Sequence, residues 1–194
     1  LKYTIDNELR MNEIAEASKR ISALLAGAKQ YSQMDRGSYG SADVHELIRS
    51  TVMMFGDKIG GPGKDRPVTI VKDLDKTLPE LQCYPGDLNQ VWTNLIDNAV
   101  KYGGASGEIR LSAARIGDTL RLGVADSGPG IPSEARGRVL DRFVRLEEAR
   151  SRPGFGLGLS LVNAVVRLHQ GTLALKDNAP GLRVEIALPA ERPA

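Results

Sequence analysis

The chain has 194 residues, of which 41% are hydrophobic and 26% charged, for a net charge of +2; this is globular composition, enough for one domain plus an extra element or two small domains. So small a charge gives no argument for nucleic acid or an acidic membrane surface as a partner. A single cysteine, Cys83, excludes an internal disulfide and fits a reducing compartment, and no apolar run approaches the ~20 residues of a membrane span or the pattern of a signal peptide.

The chain opens at Leu1, already inside a helical pattern, and is expected to be a fragment of something longer. Residues 5–35 predict one long helix, with no proline and one glycine, Gly27. Ile14, Ala17, Ile21, Leu24, Ala28 and Tyr31 form a heptad seam flanked by Leu25. So narrow a seam with charged ends predicts a helix of a bundle formed between chains, rather than one lying on its own domain. Gly37 is expected to stop it. Asp43 suits the N-cap of a helix over 44–56, followed by a loop over 56–66. Strands are expected over 67–73 and 81–84, then a helix from about Pro85 to Tyr102. EIRLSAARI and TLRLGVAD predict a hairpin around Gly117–Asp118. A helix is expected over 133–140, an irregular arginine-rich stretch over 141–153 and a helix over 156–169. TLALKD and LRVEIAL close as a second hairpin around Pro180–Gly181. Strands with interposed helices and hairpins predict an α+β fold, a two-layer α/β sandwich. Its mixed sheet would be covered by helices on one face and preceded by the bundle-forming helix. The domains are expected at 1–37 and 38–194.

Three stretches carry chemistry. In NLIDNAVKYGG (94–104), two asparagines sit in a helix otherwise packed with apolar residues. Asparagine is a poor interior helix residue, because its amide competes for backbone hydrogen bonds. At about 100° per residue, Asn94, Asn98 and Lys101 fall within roughly 60° of one another, with Gln90 on the same stripe. Leu88, Val91, Trp92, Leu95, Ala99 and Tyr102 take the opposite face. Amide oxygens suit a hard cation that keeps most of its waters, and a lysine one turn on reaches phosphate oxygens, so Mg²⁺ with a nucleotide triphosphate satisfies both. A simple solvated helix face explains the stripe equally well. In VADSGPGIP (124–132), Asp126 ends a strand and Gly128 and Gly130 follow. Such glycines let backbone approach a flat ligand, and the carboxylate accepts from an exocyclic amine; an ordinary turn has the same composition. In RPGFGLGLSLV (152–162), Gly154, Gly156 and Gly158 lead into a helix whose free N–H groups suit an anion, with neither Rossmann nor Walker spacing.

Taken in order, these stretches resemble the ATP-binding catalytic domain of bacterial sensor histidine kinases, which shares its nucleotide fold with gyrase B, the MutL mismatch-repair ATPases and a heat-shock chaperone. DLNQVWTNLIDNAVKYG resembles the family's N box, DSGPG its first glycine box and GFGLGL its second. DRFVRLEEARS resembles the phenylalanine-containing box and the lid over the nucleotide. The resemblance covers about residues 40–189 and rests on the ordered set, since each motif alone is unspecific. It implies ATP and Mg²⁺ as ligands. Asn98 would coordinate the metal, with Asn94 beside it near the phosphates. Lys101 would contact phosphate, and Arg145 would reach the γ-phosphate. Tyr102 would line the pocket. Asp126 would bind the adenine amino group, with Gly128, Gly130 and Ile131 shaping the base pocket. Phe143 would anchor the lid. Gly154, Gly156, Leu157 and Gly158 would wrap the phosphates. The N-terminal helix resembles the second helix of the dimerisation and phosphoacceptor domain, with YSQMDRG as the hinge. The implied partners are a response regulator receiver domain and a second copy of the chain, with no nucleic acid. The implied location is cytoplasmic, with any membrane anchor in regions preceding Leu1.

The family transfers a phosphoryl group to a histidine followed by an acidic residue. Only His45 and His169 are present. His45 precedes Glu46 and imitates that motif, but it lies beyond the hinge. His169 ends a helix, where charge complementarity with the helix C-terminus is the expected role. The acceptor is therefore expected outside this chain. Two other readings share the same features: a non-catalytic adapter dimer that holds a response regulator, and a serine kinase or ATPase clamp of the same fold. The intact motifs argue against the first and the bundle-like helix against the second.

Overall fold

The computed structural model describes residues 38–56, 68–103, 107–146 and 156–190, all within the compact unit Arg36–Ala194. The long helix expected over 5–35, its stop at Gly37 and the hinge lie outside the described residues. In chain order the described elements are β1 (Gly40–Ala42), α1 (Val44–Met54), β2 (Thr69–Leu74), β3 (Leu81–Cys83), α2 (Pro85–Tyr102), β4 (Glu108–Ile116), β5 (Thr119–Ala125), α3 (Gly158–Leu168), β6 (Thr172–Asp177) and β7 (Leu182–Pro189).

Five strands form one mixed sheet in the order β2-β4-β5-β7-β6. Only β2 and β4 run parallel; every other pair is antiparallel. The register lines up apolar rows across the strands, Leu111–Val124–Val184–Leu175 and Ala113–Leu122–Ile186–Leu173. A period of two sends the alternate residues to the other face, where Glu108, Arg110, Arg121, Lys176 and Arg183 are exposed. The apolar rows join α1, α2 and α3 in one core. The fold is therefore the expected two-layer α/β sandwich, with helices on one face. β1 and β3 pair separately as a short antiparallel ribbon.

Each helix shows why it forms. Asp43 caps α1, its Oδ1 accepting from His45 N at 2.7 Å; Val44, Leu47, Ile48 and Thr51 then bury one stripe. α2 starts with Pro85 at its first turn, where a missing N–H costs nothing. It buries Leu88, Val91, Trp92, Leu95, Ile96 and Ala99. Each large side chain in that row contributes about 1.5–3 kcal/mol of burial. Ile96 belongs to the core beside the expected set, and Tyr102 is only half-buried.

Element ends differ from expectation in places. α1 stops at Met54, before Phe55 and Gly56. The first strand of the sheet covers Thr69–Leu74 rather than 67–73. α3 starts at Gly158 rather than 156, because Gly156 has φ +70°, outside the helical region. The helix expected over 133–140 is instead two 3-10 turns, Ser133–Ala135 and Arg138–Leu140. Gly137 keeps helical dihedrals but is a poor helix former, and Val139 is the one buried residue of the two turns, so no apolar face holds a continuous helix there. The hairpin at Gly117 forms as expected, with φ +59° at its first turn residue.

Candidate functional site

Asp126 follows directly on β5 and is 8% exposed. Its N–H donates to Leu182 O at 2.9 Å. Its Oδ1 accepts from Gly128 N at 2.9 Å and from Leu182 N at 3.3 Å, and its carbonyl accepts from Asn178 Nδ2 at 2.8 Å. These bonds use Oδ1 and leave Oδ2 able to accept from an amine. Burial pushes the carboxyl above its usual range, opposed by the backbone bonds from Gly128 and Leu182.

Gly128 is required by a close approach rather than by its φ. A β-carbon there would lie 2.1 Å from Tyr102 O. The loop after Asp126 is thus pressed onto the C-terminal turn of α2, and Gly103 behind it leaves only 3.4 Å between an added β-carbon and Asp126 Cβ. Gly130 has φ +74° and faces Gly181 O. Ile131 is half-buried and its carbonyl accepts from Arg136 Nε at 2.9 Å.

Two residues of the amide stripe, Asn94 and Asn98, face the start of α3. Gln90, Asn94, Asn98 and Lys101 are all half-buried. Asn94 Nδ2 donates to Gln90 O at 2.8 Å, which turns Oδ1 outward. A β-carbon on Gly158 would lie 3.2 Å from that Oδ1, 3.4 Å from Asn98 Nδ2 and 3.8 Å from Asn98 Oδ1. The first residue of α3 therefore sits against both asparagines. Leu157 is the N-cap and supplies no side-chain bond to the helix start. Free N–H groups there, with the helix dipole, suit an anion. The Lys101 ammonium bonds the Asp97 carboxylate one turn back, the favourable order for such a pair.

Phe143 is 58% exposed and has φ +65°, and its N–H donates to Gly156 O at 2.9 Å. A β-carbon on Gly156 would meet Phe143 C, Val144 O and Arg145 Cγ within 3.1 Å. The chain before α3 is thus laced to the phenylalanine segment, with Arg145 half-buried beside it. Gly154 lies outside the described residues.

Neither histidine belongs to this arrangement. His45 lies in the first turn of α1, its Nδ1 3.0 Å from Asp43 Oδ1 and its Nε2 3.0 Å from Asp75 O. His169 does cap α3, but through hydrogen bonds rather than charge: Nε2 accepts from Tyr84 N at 3.0 Å and Nδ1 lies 2.8 Å from Val165 O. Those partners fit the neutral ring with Nδ1 protonated. Cys83 is buried and its thiol is pushed up to about 11, first by burial and then by Asp87, which leaves it unreactive.

Asn178 and Gly181 touch Asp126 yet carry no sequence signal, standing more than fifty residues away in an ordinary-looking turn. Ser127 was likewise silent; its Oγ bridges Glu108 N at 3.2 Å and Gly103 O at 3.3 Å.

A profile described as Histidine kinase-, DNA gyrase B-, and HSP90-like ATPase matches residues 83–192, more than half of the chain. The alginate biosynthesis sensor protein KinB of Pseudomonas aeruginosa is 32% identical over 170 residues, covering 87% of this chain and 28% of that protein. The chain spans 28% to 44% of the first curated relatives it matches. The solved mycobacterial sensor histidine kinase MprB superposes with a TM-score of 0.67 at 28% identity, over 78% of this chain and 97% of that one. Histidine kinase ThkA, solved with response regulator protein TrrA, superposes with a TM-score of 0.72 over 90% of this chain and 49% of that one. Its 21% identity speaks to the fold alone. Among the described residues, no helix is long and apolar enough to cross a membrane.

Proposed function

The chain belongs to the histidine kinase-, DNA gyrase B- and HSP90-like ATPases, in the branch of sensor histidine kinase catalytic domains, and from that premise we propose that it binds Mg²⁺·ATP and presents the γ-phosphoryl group to a histidine outside this chain. The observation that carries the reading is the packing of Gly158 on Asn94 and Asn98. It sets a helix start, which suits phosphate, against amides that suit a hydrated metal.

The residues present fit that ligand. Asp126 Oδ2 accepts from the adenine amino group, and Gly128 and Gly130 leave room for the base. Tyr102 and Ile131 border it. Asn98 Oδ1 holds the metal, with Asn94 beside it. Lys101, Arg145 and the N–H groups at Gly156, Leu157 and Gly158 neutralise phosphate charge, and Phe143 anchors the segment that covers the nucleotide. Gly154 belongs to the same wrap by its place in the sequence. Mg²⁺, when bound, supplies charge neutralisation and orientation of the phosphate oxygens. The chain's own part is positioning, since phosphoryl transfer asks little covalent chemistry of the protein. Residues 1–37 supply the dimerisation helix and hinge, a second copy of the chain is the partner there, and a response regulator receiver domain accepts the phosphoryl group in turn. We place this part of the chain in the cytoplasm.

Calorimetric titration of ATP, with and without Mg²⁺, tests the reading. Saturable binding strengthened by the metal is expected. A folded sample that binds no nucleotide would leave the adapter reading in its place. Acid lability of the phosphorylated partner separates phosphohistidine from the phosphoserine of a serine kinase.

A further inference from the structure

We infer that Asn178, in the turn between β6 and β7, is a positioning residue for the adenine-recognising carboxylate of Asp126. The inference rests on the role of Asp126 proposed above. Asp126 stands where β5 ends and the chain bends into the glycine loop. The carboxylate's direction there depends on ψ at residue 126, because Gly128 N must reach Oδ1 across the intervening peptides. One element outside the loop grips that peptide. Asn178 Nδ2 donates to Asp126 O at 2.8 Å, across 52 residues of sequence.

The turn is itself shaped to deliver the amide. Asn178 N donates to Gly181 O at 3.1 Å, closing the turn. Gly181 has φ +118°, and a β-carbon there would lie 1.8 Å from the same Asp126 carbonyl oxygen. That oxygen is therefore pressed against Gly181 Cα on one side and bonded to Asn178 on the other. The next residue, Leu182, accepts from Asp126 N through its carbonyl and donates its own N–H to Oδ1. Without Asn178 the carbonyl loses its donor, and the peptide after residue 126 can tilt away from Gly181, whose contact blocks only the opposite direction. The sheet remains, since the β5–β7 register is held by seven residue pairs. What changes is the aim of Oδ2.

The test compares ATP with inosine triphosphate, which carries an oxygen where adenine carries its amino group. Both are titrated calorimetrically into the whole chain and into its Asn178→Ala, Asn178→Asp and Asp126→Asn variants. Losing one such bond predicts that Asn178→Ala weakens ATP about fivefold to tenfold, with inosine triphosphate unchanged and the melting temperature close to that of the parent. Asn178→Asp, which sets an acceptor against the carbonyl, is expected to weaken ATP further. It also serves as the second variant if Asn178→Ala does not fold. Equal loss for both nucleotides, or no loss for either, would assign Asn178 a purely structural role and overturn the inference. Asp126→Asn separates the two levels. If it erases discrimination while the Asn178 variants keep it, the inference alone fails. If it leaves discrimination intact, the base-recognition reading fails and takes the inference with it.

Discussion

Around Asp126 the polar groups are already engaged by backbone: its N–H, carbonyl and Oδ1 all have partners in β7, the glycine loop and the 178–181 turn. Around Asn98, Asn94 and Lys101 bond within their own helix, to Gln90 O and to Asp97, and the Asn98 side chain makes no hydrogen bond among the described residues, although it lies against Gly158. Gly158 differs in the same way from the glycines near Asp126, although Gly156 before it meets backbone as they do. At the base end an added β-carbon would meet backbone oxygens at 1.8 Å and 2.1 Å, at Gly181 and Gly128. At the phosphate end, on Gly158, it would meet side-chain amides at 3.2–3.4 Å. Backbone cannot step aside, whereas an asparagine amide can. On the proposed reading, the base end is set before a nucleotide arrives, whereas the contact of Gly158 with the asparagines is left to be completed by one.

The largest effect expected from this contrast is on stability. Gly181→Ala combines a positive φ with a backbone collision, and should destabilise the fold by about 3 kcal/mol or more. Thermal unfolding measures it, and a melting temperature like that of the parent would mean the base end is softer than its geometry. Next comes Asp126→Asn, which keeps the shape but sets an amide donor against the adenine amine. Loss of a charged acceptor should weaken ATP about 10- to 100-fold, read by calorimetry. Asn98→Ala should remove the increment in affinity that Mg²⁺ adds while leaving metal-free binding and the fold intact. Unchanged metal dependence would take Asn98 out of the metal site. Gly158→Ala should cost no more than about 1 kcal/mol of stability, because the amides give way. It should nevertheless weaken ATP more than adenosine, since the displaced groups are the ones proposed to face phosphate.

The smallest effect is on pH dependence, and its two readouts run in opposite directions. Burial raises the Asp126 carboxyl above the ordinary aspartate value of 3.8, so its contribution to stability is complete below that value and is lost as pH rises through the raised one. In the proposed function adenine recognition needs the carboxylate, so ATP affinity should fall as pH drops toward the raised value. Asp126→Asn should flatten that acid limb in a titration series. An unaltered limb would assign the dependence to another group.

Much of the fold was legible because its signals are local. Asp43 as N-cap, Pro85 opening α2, the apolar row from Leu88 to Ala99 and the alternation in β4, β5 and β7 all follow from residue type and period. The segment 133–140 misled because helix propensity was visible and the lack of a buried face was not. His169 misled similarly: its position at a helix end was plain, but its partner Tyr84 N comes from a residue 85 positions away.

Residue pattern alone was enough for most of the elements, for the amide stripe on one helix and for the order of the glycine boxes, because periodicity, capping and composition act within a few residues. Only the tertiary structure decided that Gly158 packs on Asn94 and Asn98, that Gly128 is a glycine because Tyr102 O lies behind it, and that a turn far along the chain holds the Asp126 carbonyl. Those facts depend on how the sheet and the helices meet. Close approach between segments distant in sequence is fixed by packing and leaves no local pattern.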